Sequence, residues 1–263
     1  MRPSLAVFVL LVFIASPAES TLQDQINAVA STGGEVKLPC GLFQGTTVVM
    51  PSNVALVGSG PCTVVPSIST QATPAARKYG IRIENLTIDG SIDGNQYIGV
   101  DLRNTSVSRV RNVSVRNVQY GVLLYQSSFY NSLEDLVIDA TVQCFQIIDG
   151  ANENTVRGGR CQHASAQKIG TGAWMRNVNS VKIFGTSFEN LNVGISVDEG
   201  TEGASIFSPR LENMNCGIQI SLNSSRTSIF HIYASNIVPA VPICSTPGNL
   251  ADAQKYYYSG SPY

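Results

Sequence analysis

The sequence has no excess of charge of either sign, because 17 basic and 18 acidic side chains leave a formal net charge of −1. Electrostatic binding to nucleic acid or to an anionic membrane usually needs a basic surface, so neither partner is predicted. Histidine is scarce, and the two that occur, His163 and His231, fall at unrelated positions of the pattern described below. With no compact spacing of cysteines either, no metal site is predicted.

Long hydrophobic runs are absent after the first 20 residues. The run at residues 5–15 follows Arg2 and precedes small residues, which is the plan of a secretory signal peptide, and it is too short for a typical membrane span. We therefore predict a signal peptide at residues 1–20 and a secreted, extracellular protein without stable membrane insertion. An uncleaved N-terminal anchor is the alternative.

All six cysteines follow the predicted signal peptide. An even number of cysteines in an oxidising compartment favours disulfides, and pairing of sequence neighbours is the simplest arrangement. The predicted disulfides are Cys40–Cys62, Cys144–Cys161 and Cys216–Cys244. A glycoprotein is also indicated, because Asn-x-Ser/Thr sequons should be exposed where the host glycosylates them; they begin at Asn85, Asn104, Asn112 and Asn223.

Residues 80–244 contain a repeat of two apolar columns. The first has steps of 23, 25, 25 and 23 residues and contains Leu133, Val156, Val181, Ile206 and Ile229. The second usually follows a small residue and contains Val122, Phe145, Ala173, Ile195, Ile218 and Val241. A period in the low twenties is typical of a solenoid, in which each unit buries its apolar face on its neighbours.

The repeat favours strands over helices, because each unit has too few residues between its strands for a helix. Leucine-rich repeats share the period but need regularly placed Leu and Asn, whereas these columns mix Val, Ile, Leu and Phe. The sequence therefore predicts an all-β, single-stranded parallel β-helix. Asparagines 23 residues apart are expected to form a side-chain ladder at one turn, and they are Asn190, Asn213 and Asn236.

Both ends of a solenoid expose strand edges that need a cover. At the N-terminal end we predict a capping helix over residues 21–31, with Thr21 as its N-cap and Asp24 three positions later. Its apolar stripe would consist of Leu22, Ile26 and Val29. The tail at residues 246–263 is predicted to cover the other end, so that residues 21–263 form one domain.

Two segments, "GGEVKLPCGLFQG" and "NVALVGSGPCTVV", resemble the first coil of the pectin-lyase-like β-helix superfamily. The matching residues are Gly33, Gly34, Val36, Leu38, Pro39, Gly41 and Phe43, then Val54, Leu56, Gly58 and Gly60. This resemblance implies a right-handed parallel β-helix, and chemistry on uronic-acid polymers or related glycans. Fold alone does not establish an activity.

Polygalacturonases within that superfamily carry acids and a histidine just before the strand of the second column. The corresponding residues here are Tyr120, Val142, Gln143 and Thr171, and no Arg-Ile-Lys motif follows. Inverting hydrolysis needs one carboxylic acid and a second carboxylate to activate water, and these side chains provide neither. The polygalacturonase mechanism is therefore not expected at these positions.

Alternation along the second strand places two rows of side chains on the outside. The first row contains Asp101, Leu123, Gln146, Trp174, Ser196 and Gln219; the second contains Arg103, Tyr125, Ile148, Arg176, Asp198 and Ser221. Three residues are candidates for catalysis: Asp198, Glu199 and Arg176. Four are candidates for substrate binding: Trp174, Asp101, Gln146 and Tyr125.

These candidates suit sugar chemistry, because Trp174 can stack on a sugar ring and Arg176 can hold a uronate carboxylate. Asp198 and Glu199 would act as acid or base. The alternative is structural: Arg176 and Asp198 would form a surface ion pair, Trp174 would shield the sheet, and Glu199 would lie solvated in a turn. Three other acids that end apolar alternations, Asp89, Asp139 and Asp149, are interpreted as turn residues.

The leading hypothesis is a secreted β-helix protein that acts on an acidic polysaccharide as a lyase or hydrolase. No cofactor is predicted, except that a lyase would often recruit calcium through carboxylates such as Asp198 and Glu199. The competing hypothesis is a noncatalytic β-helix that binds a glycan or another surface. In either case we expect a monomer with polysaccharide as its partner.

Overall fold

A computed structural model describes residues 21–94, 96–163, 168–221, 223–237, 243–245 and 257–258. The predicted signal peptide and most of the predicted C-terminal cover lie outside these residues. In the described part of the chain, no helix is both long enough and apolar enough to cross a membrane.

The described elements comprise one helix and 25 strands. The helix is α1 (Leu22–Val29). The strands are β1 (Gly34–Leu38), β2 (Gly41–Leu42), β3 (Val48–Val49), β4 (Val54–Gly58), β5 (Thr63–Val65), β6 (Ile68–Ser69), β7 (Lys78–Tyr79), β8 (Arg82–Asp89), β9 (Ile98–Asp101), β10 (Thr105–Ser106), β11 (Arg109–Tyr125), β12 (Ser132–Glu134), β13 (Val137–Ile148), β14 (Thr155–Arg157), β15 (Arg160–Gln162), β16 (Thr171–Arg176), β17 (Lys182–Phe184), β18 (Ser187–Glu189), β19 (Val193–Val197), β20 (Ser205–Phe207), β21 (Arg210–Met214), β22 (Cys216–Ile220), β23 (Ser228–Ile237), β24 (Ile243–Ser245) and β25 (Tyr257–Tyr258).

The strands form the predicted parallel β-helix, a solenoid of about nine turns. It has three faces, each made of parallel strands from successive coils, where the sequence pattern predicted only two strands per coil. Their inward columns pack together as the core. Face 1 contains Val36, Leu56, Ile83, Val110, Leu133, Val156, Ile183, Ile206 and Ile229; face 2 contains Val65, Ile88, Val115, Ile138, Cys161, Phe188, Leu211 and Ala234; face 3 contains Val48, Ile68, Val100, Val122, Phe145, Ala173, Ile195, Ile218 and Ile243.

Two residues predicted to belong to the apolar columns are wrong, and in each case the residue that does belong lies two positions later in the chain. On face 1, Val156 pairs with Ile183, which then pairs with Ile206, so Val181 is not in this column. Val181 is nevertheless fully buried. At the end of face 3, Ile218 pairs with Ile243, and Val241 lies outside the described residues.

The corner between faces 1 and 2 begins with a residue of positive φ in each of seven successive coils. These residues are Asn85, Asn112, Asp135, Gly158, Gly185, Ser208 and His231, and Gly159 adds a second one after Gly158. A left-handed residue turns the chain sharply, and Asn, Asp and Gly tolerate that conformation best. His231 is therefore a corner residue with its side chain exposed.

The asparagine ladder is confirmed at the corner between faces 2 and 3. The Nδ2 of Asn213 donates to Oδ1 of Asn190 at 2.6 Å, and the Nδ2 of Asn236 donates to Oδ1 of Asn213 at 2.8 Å. All three have φ between 51° and 58°. A second, buried ladder was missed: the Nδ2 of Asn131 donates to Oδ1 of Asn154 at 3.0 Å, before the strands of face 1.

The predicted capping helix is also confirmed. Thr21 and Asp24 form a reciprocal capping box at its start. Ile26 is fully buried and Leu22 nearly so, while Val29 packs partly buried against the core. At the other end, β25 pairs in parallel with β23, which adds a further strand from the predicted C-terminal cover.

All three predicted disulfides are present: Cys40–Cys62, Cys144–Cys161 and Cys216–Cys244. One predicted glycosylation site is wrong. Asn104 is only 1% exposed, and its Nδ2 donates to the backbone oxygen of Ala72 and to Gln126. Asn112 and Asn223 are exposed and Asn85 is half-buried, so glycosylation at these three remains a prediction.

Candidate functional site

The outer side of face 3 carries the predicted rows in register. Each member of the first row pairs with the next one, from Asp101 through Leu123, Gln146, Trp174 and Ser196 to Gln219. In the second row, Tyr125 pairs with Ile148, and Ile148 pairs with Arg176. The predicted first row is therefore confirmed, as is the stretch of the second row from Tyr125 to Arg176.

Trp174 is half-buried and held by the carboxylate of Asp198 on the following coil. The indole Nε1–H of Trp174 donates to Oδ2 of Asp198. The other oxygen, Oδ1, accepts from the hydroxyls of Ser196 at 3.1 Å and Ser221 at 2.6 Å. Three donors thus fix this carboxylate, and the carboxylate in turn fixes the orientation of the indole.

Arg176 covers the tryptophan from the same strand. Its guanidinium carbon lies 5.0 Å from the centre of the Trp174 ring, a cation–π contact. Its Nη2 lies 3.3 Å from Oδ2 of Asp149 on the preceding coil. The predicted ion pair between Arg176 and Asp198 was wrong, because the arginine turns towards Asp149 instead.

We call Asp149, Trp174, Arg176 and Asp198 the face 3 cluster. Asp149 is not among the predicted site residues, because its position after an apolar alternation predicts a turn. Its φ of 49° confirms a turn conformation. The sequence does contain a signal for the contact between Asp149 and Arg176. Asp149 directly follows Ile148, which the outward row places beside Arg176, so the long arginine side chain can reach this carboxylate on the preceding coil.

Glu199 does not join Asp198 in one catalytic pair. Asp198 is half-buried under its three donors, whereas Glu199 is exposed. Oε1 of Glu199 accepts a hydrogen bond from Nδ2 of Asn223 at 3.4 Å. Asp198 directly follows β19 and Glu199 lies in the turn after it, so the adjacent acids in the sequence become separate groups in the structure.

Asp101 lies far from the other candidate acids. Four strand spacings of about 4.8 Å separate its coil from that of Asp198, which amounts to roughly 19 Å. The two carboxylates that hydrolyse a glycosidic bond lie within about 10 Å of each other. Asp101 is instead buried against Arg103, whose Nε and Nη2 bind its carboxylate, and this contact raises the pKa of Arg103.

Gln146 and Tyr125 lie between Asp101 and the face 3 cluster and are both half-buried. Gln146 pairs directly with Trp174 on the next coil. Tyr125 lies beside Ile148 in the second row. The structure therefore places all four predicted binding residues on one surface, but Asp101 at its far end.

The residues predicted to stand where polygalacturonases carry their acids lie together in the structure. Tyr120, Gln143 and Thr171 pair with one another in register, and Val142 precedes Gln143. Burial raises the pKa of Tyr120, with a further contribution from Tyr97, whose ring lies 5.0 Å away edge-on. Gln143 Oε1 is buried without a hydrogen-bond partner in the described part of the chain.

Charge at the face 3 cluster is predominantly negative. The carboxylates of Asp149 and Asp198, with exposed Glu199 nearby, outnumber the single guanidinium of Arg176. No group of three or more His, Cys, Asp or Glu side chains that could hold a metal ion occurs among the described residues. The cluster thus offers a fixed aromatic ring, hydrogen-bonding hydroxyls and carboxylates.

Comparisons with known proteins support the fold alone. No protein-family model and no curated protein matches the chain. Among solved structures, Geobacillus virus E2 ORF18 is similar with a TM-score of 0.56 and 16% identity over 81% of this chain, which spans about half (54%) of that structure. Two others have TM-scores below 0.5. The mannuronan C-5 epimerase AlgE4 A-module of Azotobacter vinelandii has a TM-score of 0.43 and 15% identity, and the match covers 90% of this chain and 88% of that one. The catalytic domain of a GH87 alpha-1,3-glucanase has a TM-score of 0.45 and 13% identity, and the match covers 100% of this chain and 70% of that one.

Proposed function

We propose that this protein is a secreted member of the pectin-lyase-like superfamily that binds a polysaccharide along the outer side of face 3. The observation that carries this proposal is the fixed indole of Trp174. A tryptophan that only shielded the sheet would need no carboxylate held by two serine hydroxyls, Ser196 and Ser221. Such preorganisation reduces the entropic cost of stacking on a sugar.

The residues around Trp174 suit a ligand rich in hydroxyl groups. Gln146 and Gln219 lie in the same outward row, and both are half-buried. Their amides can donate to and accept from sugar hydroxyls. The half-buried ring of Tyr125 adds a second aromatic surface two coils before the tryptophan.

Charge favours an uncharged sugar at the cluster over the uronate that the sequence suggested. Arg176 was expected to hold a uronate carboxylate, but its guanidinium already pairs with Asp149. A uronate there would also meet the carboxylates of Asp198 and Glu199. Like charges in proximity oppose binding, so an acidic polysaccharide needs its charge recognised elsewhere on the molecule.

A catalytic role is the second candidate, and one feature favours it. Asp149 and Asp198 flank the Trp174–Arg176 pair on either side, two coils or about 10 Å apart. This separation is near the upper end of the range used by inverting glycosidases, about 6.5 to 9.5 Å. Against it, Arg176 and the two serines already occupy the oxygens that catalysis would need.

The proposal is tested with purified protein and immobilised neutral glucans, polygalacturonate and alginate. We expect retention on at least one neutral glucan, its loss in Trp174→Ala, and no release of reducing ends or unsaturated products. Phe207→Ala, an aromatic substitution on the outer side of face 1, is the matched control and should keep retention. Equal retention by both variants would refute the binding site.

The same experiment separates the two candidates. Product release that disappears in both Asp149→Asn and Asp198→Asn would establish the catalytic alternative. These substitutions keep the shape of each side chain and remove only its charge, so loss of activity would reflect chemistry. Repeating the assay with and without calcium tests the lyase expectation.

A further inference from the structure

A second surface feature lies at the corner between faces 3 and 1, on the coils that precede the face 3 cluster, with Tyr130 one coil before Asp149. Three large side chains are exposed on successive corners: Tyr79 (47%), Val107 (64%) and Tyr130 (60%). Backbone pairing aligns them, since Tyr79 pairs with Ser106, and the N–H of Val107 donates to the oxygen of Phe129 at 2.9 Å. We call Tyr79, Val107, Phe129 and Tyr130 the aromatic ridge.

Two ridge residues have a backbone conformation that their side chains disfavour. Val107 has a φ of 53° and Tyr130 a φ of 57°. The same turn position on other coils is occupied by Gly80, Glu153, Ser180, Gly203 and Arg226, also with positive φ. A β-branched residue in this region costs about 1 kcal/mol or more, and such strain concentrates at functional sites.

Packing does not explain this strain. Val107 is the most exposed of the large apolar side chains in the described part of the chain, so it contributes little to the core. Glycine or asparagine would turn the chain at lower cost. An apolar side chain retained at such a position indicates a role on the surface.

Two cations border the ridge. The guanidinium carbon of Arg77 lies 5.8 Å from the centre of the Phe129 ring. Neither Arg77 nor Lys78 forms an ion pair within the described residues, whereas neighbouring Arg82 pairs with Glu35. Within the described ranges, one carboxylate contacts the ridge, that of Glu153, which accepts a hydrogen bond from the Tyr130 hydroxyl. The ridge is therefore apolar and aromatic with positive charge beside it, the reverse of the face 3 cluster.

We infer that the aromatic ridge is a binding site for an oligosaccharide that carries carboxylate or sulfate groups. Arg77 and Lys78 supply the charge for the anionic groups, and Arg77 can bind them bidentately while it stacks on Phe129. Tyr79 and Tyr130, on corners about 10 Å apart, supply rings for the sugars. A protein partner fits less well, because a specific interface buries about 800 Å² on each side, more than these few side chains provide.

This inference assigns the recognition of acidic sugars to the ridge, where the charge is favourable. It does not depend on the face 3 proposal. Trp174→Ala should leave binding of an anionic oligosaccharide at the ridge unchanged, so failure of either proposal can be distinguished from failure of the other.

Calorimetric titration of the Trp174→Ala variant, in which the face 3 site is removed, tests the inference with three probes: oligogalacturonate, a sulfated oligosaccharide and uncharged maltoheptaose. We expect the anionic probes to bind and maltoheptaose to bind at least about tenfold more weakly, with affinity falling as salt is added. Comparing carboxylate with sulfate identifies which anionic group is preferred. Equal binding of all three probes, or binding of none, would overturn the inference.

Substitutions locate the site. Arg77→Gln and Tyr130→Ala should each weaken binding of the preferred probe by about tenfold. The controls are Arg157→Gln, which removes the same kind of contact over Phe184 at 5.4 Å, and Tyr233→Ala, an equally exposed tyrosine elsewhere. Controls that weaken binding as much as the ridge variants would contradict the assignment.

Val107→Gly provides a test that does not depend on loss of folding. Glycine relieves the positive φ, so thermal stability should stay equal or rise while probe binding weakens. Unchanged binding in this variant would show that Val107 does not contribute to the binding site. If the ridge instead holds a second copy of the chain, the wild type would dimerise in sedimentation experiments and Tyr130→Ala would be monomeric, which would also contradict the inference.

Discussion

The outer sides of faces 1 and 3 share one register and one repeat but are built differently. On face 1, the rings of Phe184, Phe207 and Phe230 stack at 4.9 and 4.7 Å within 8° of parallel. Earlier coils of this row alternate in charge, in the order Glu84, Arg111, Glu134 and Arg157. On face 3, no residue type repeats between neighbouring coils of the row from Asp101 to Ser196.

The difference separates two uses of a solenoid surface. Stacked aromatic rings and oppositely charged side chains on adjacent strands stabilise each other, and this stabilisation explains the residue types in the row on face 1. The row on face 3 gains little from coil-to-coil matching, yet its central tryptophan is held by the side chains of Asp198 and Arg176. We therefore propose that face 1 gives structural support and that face 3 serves recognition.

The largest expected effect comes from comparing two phenylalanines. Phe188 is fully buried on face 2 with its ring edge-on to Phe145, whereas Phe207 is half-buried in the outer stack. Phe188→Ala should lower the free energy of unfolding by about 3–5 kcal/mol through the cavity it leaves. Phe207→Ala should cost only about 1 kcal/mol. Urea unfolding of both variants measures this, and equal costs would show that the outer stack belongs to the core.

A pH effect is expected from Asp89 on the outer side of face 2. Burial raises its pKa, but hydrogen bonds from Ser91, Asn117 and Arg116 outweigh this and lower the pKa from 3.8 to about 2. A lowered pKa stabilises the fold above about pH 4, and the contribution is lost as the pH falls towards 2. Allowing for solvent screening, we expect about 1–2 kcal/mol.

Comparing the wild type with Asp89→Asn checks this. The variant should be less stable at pH 6, and the difference should shrink between pH 4 and pH 2 in thermal unfolding. A difference that stays constant over this range would mean that the Asp89 charge contributes nothing.

The middle of the asparagine ladder should show a smaller effect. Asn213 both donates to Asn190 and accepts from Asn236, with a φ of 54°. Asn213→Ala loses both hydrogen bonds and strains the backbone, so we expect a loss of about 1–2 kcal/mol. Asn213→Gly keeps the turn and should cost less. If glycine and alanine cost the same in urea unfolding, backbone conformation is not the reason for asparagine here.

Much of the fold could be predicted because a step of 23 residues recurs. It separates four of the eight neighbouring pairs in the face 1 column and both neighbouring pairs of the asparagine ladder. The outward rows followed from alternation along the second strand, and the disulfide pairs from their neighbouring positions in the sequence. The prediction failed where a coil is longer. Val156 and its partner Ile183 are 27 residues apart, and Ser180 before Val181 imitated the local pattern of the column.

The third face was missed for a different reason. Its inward column on face 2 includes a disulfide cysteine, Cys161, and a short residue, Ala234, so it does not read as a uniform aliphatic column.

The site could be predicted only in part. Register along the strands located Trp174 and Asp198, but the direction of the long Arg176 side chain depends on which carboxylate it reaches, and the sequence does not specify that.

The most direct test of the central claim is a paired measurement of glycan retention and unfolding for Trp174→Ala and Phe207→Ala. The account predicts that the tryptophan variant loses retention by at least about tenfold while its stability changes little. The phenylalanine variant should keep retention and lose about 1 kcal/mol of stability. Loss of retention in both variants, or in neither, would contradict the division between a supporting face 1 and a recognising face 3.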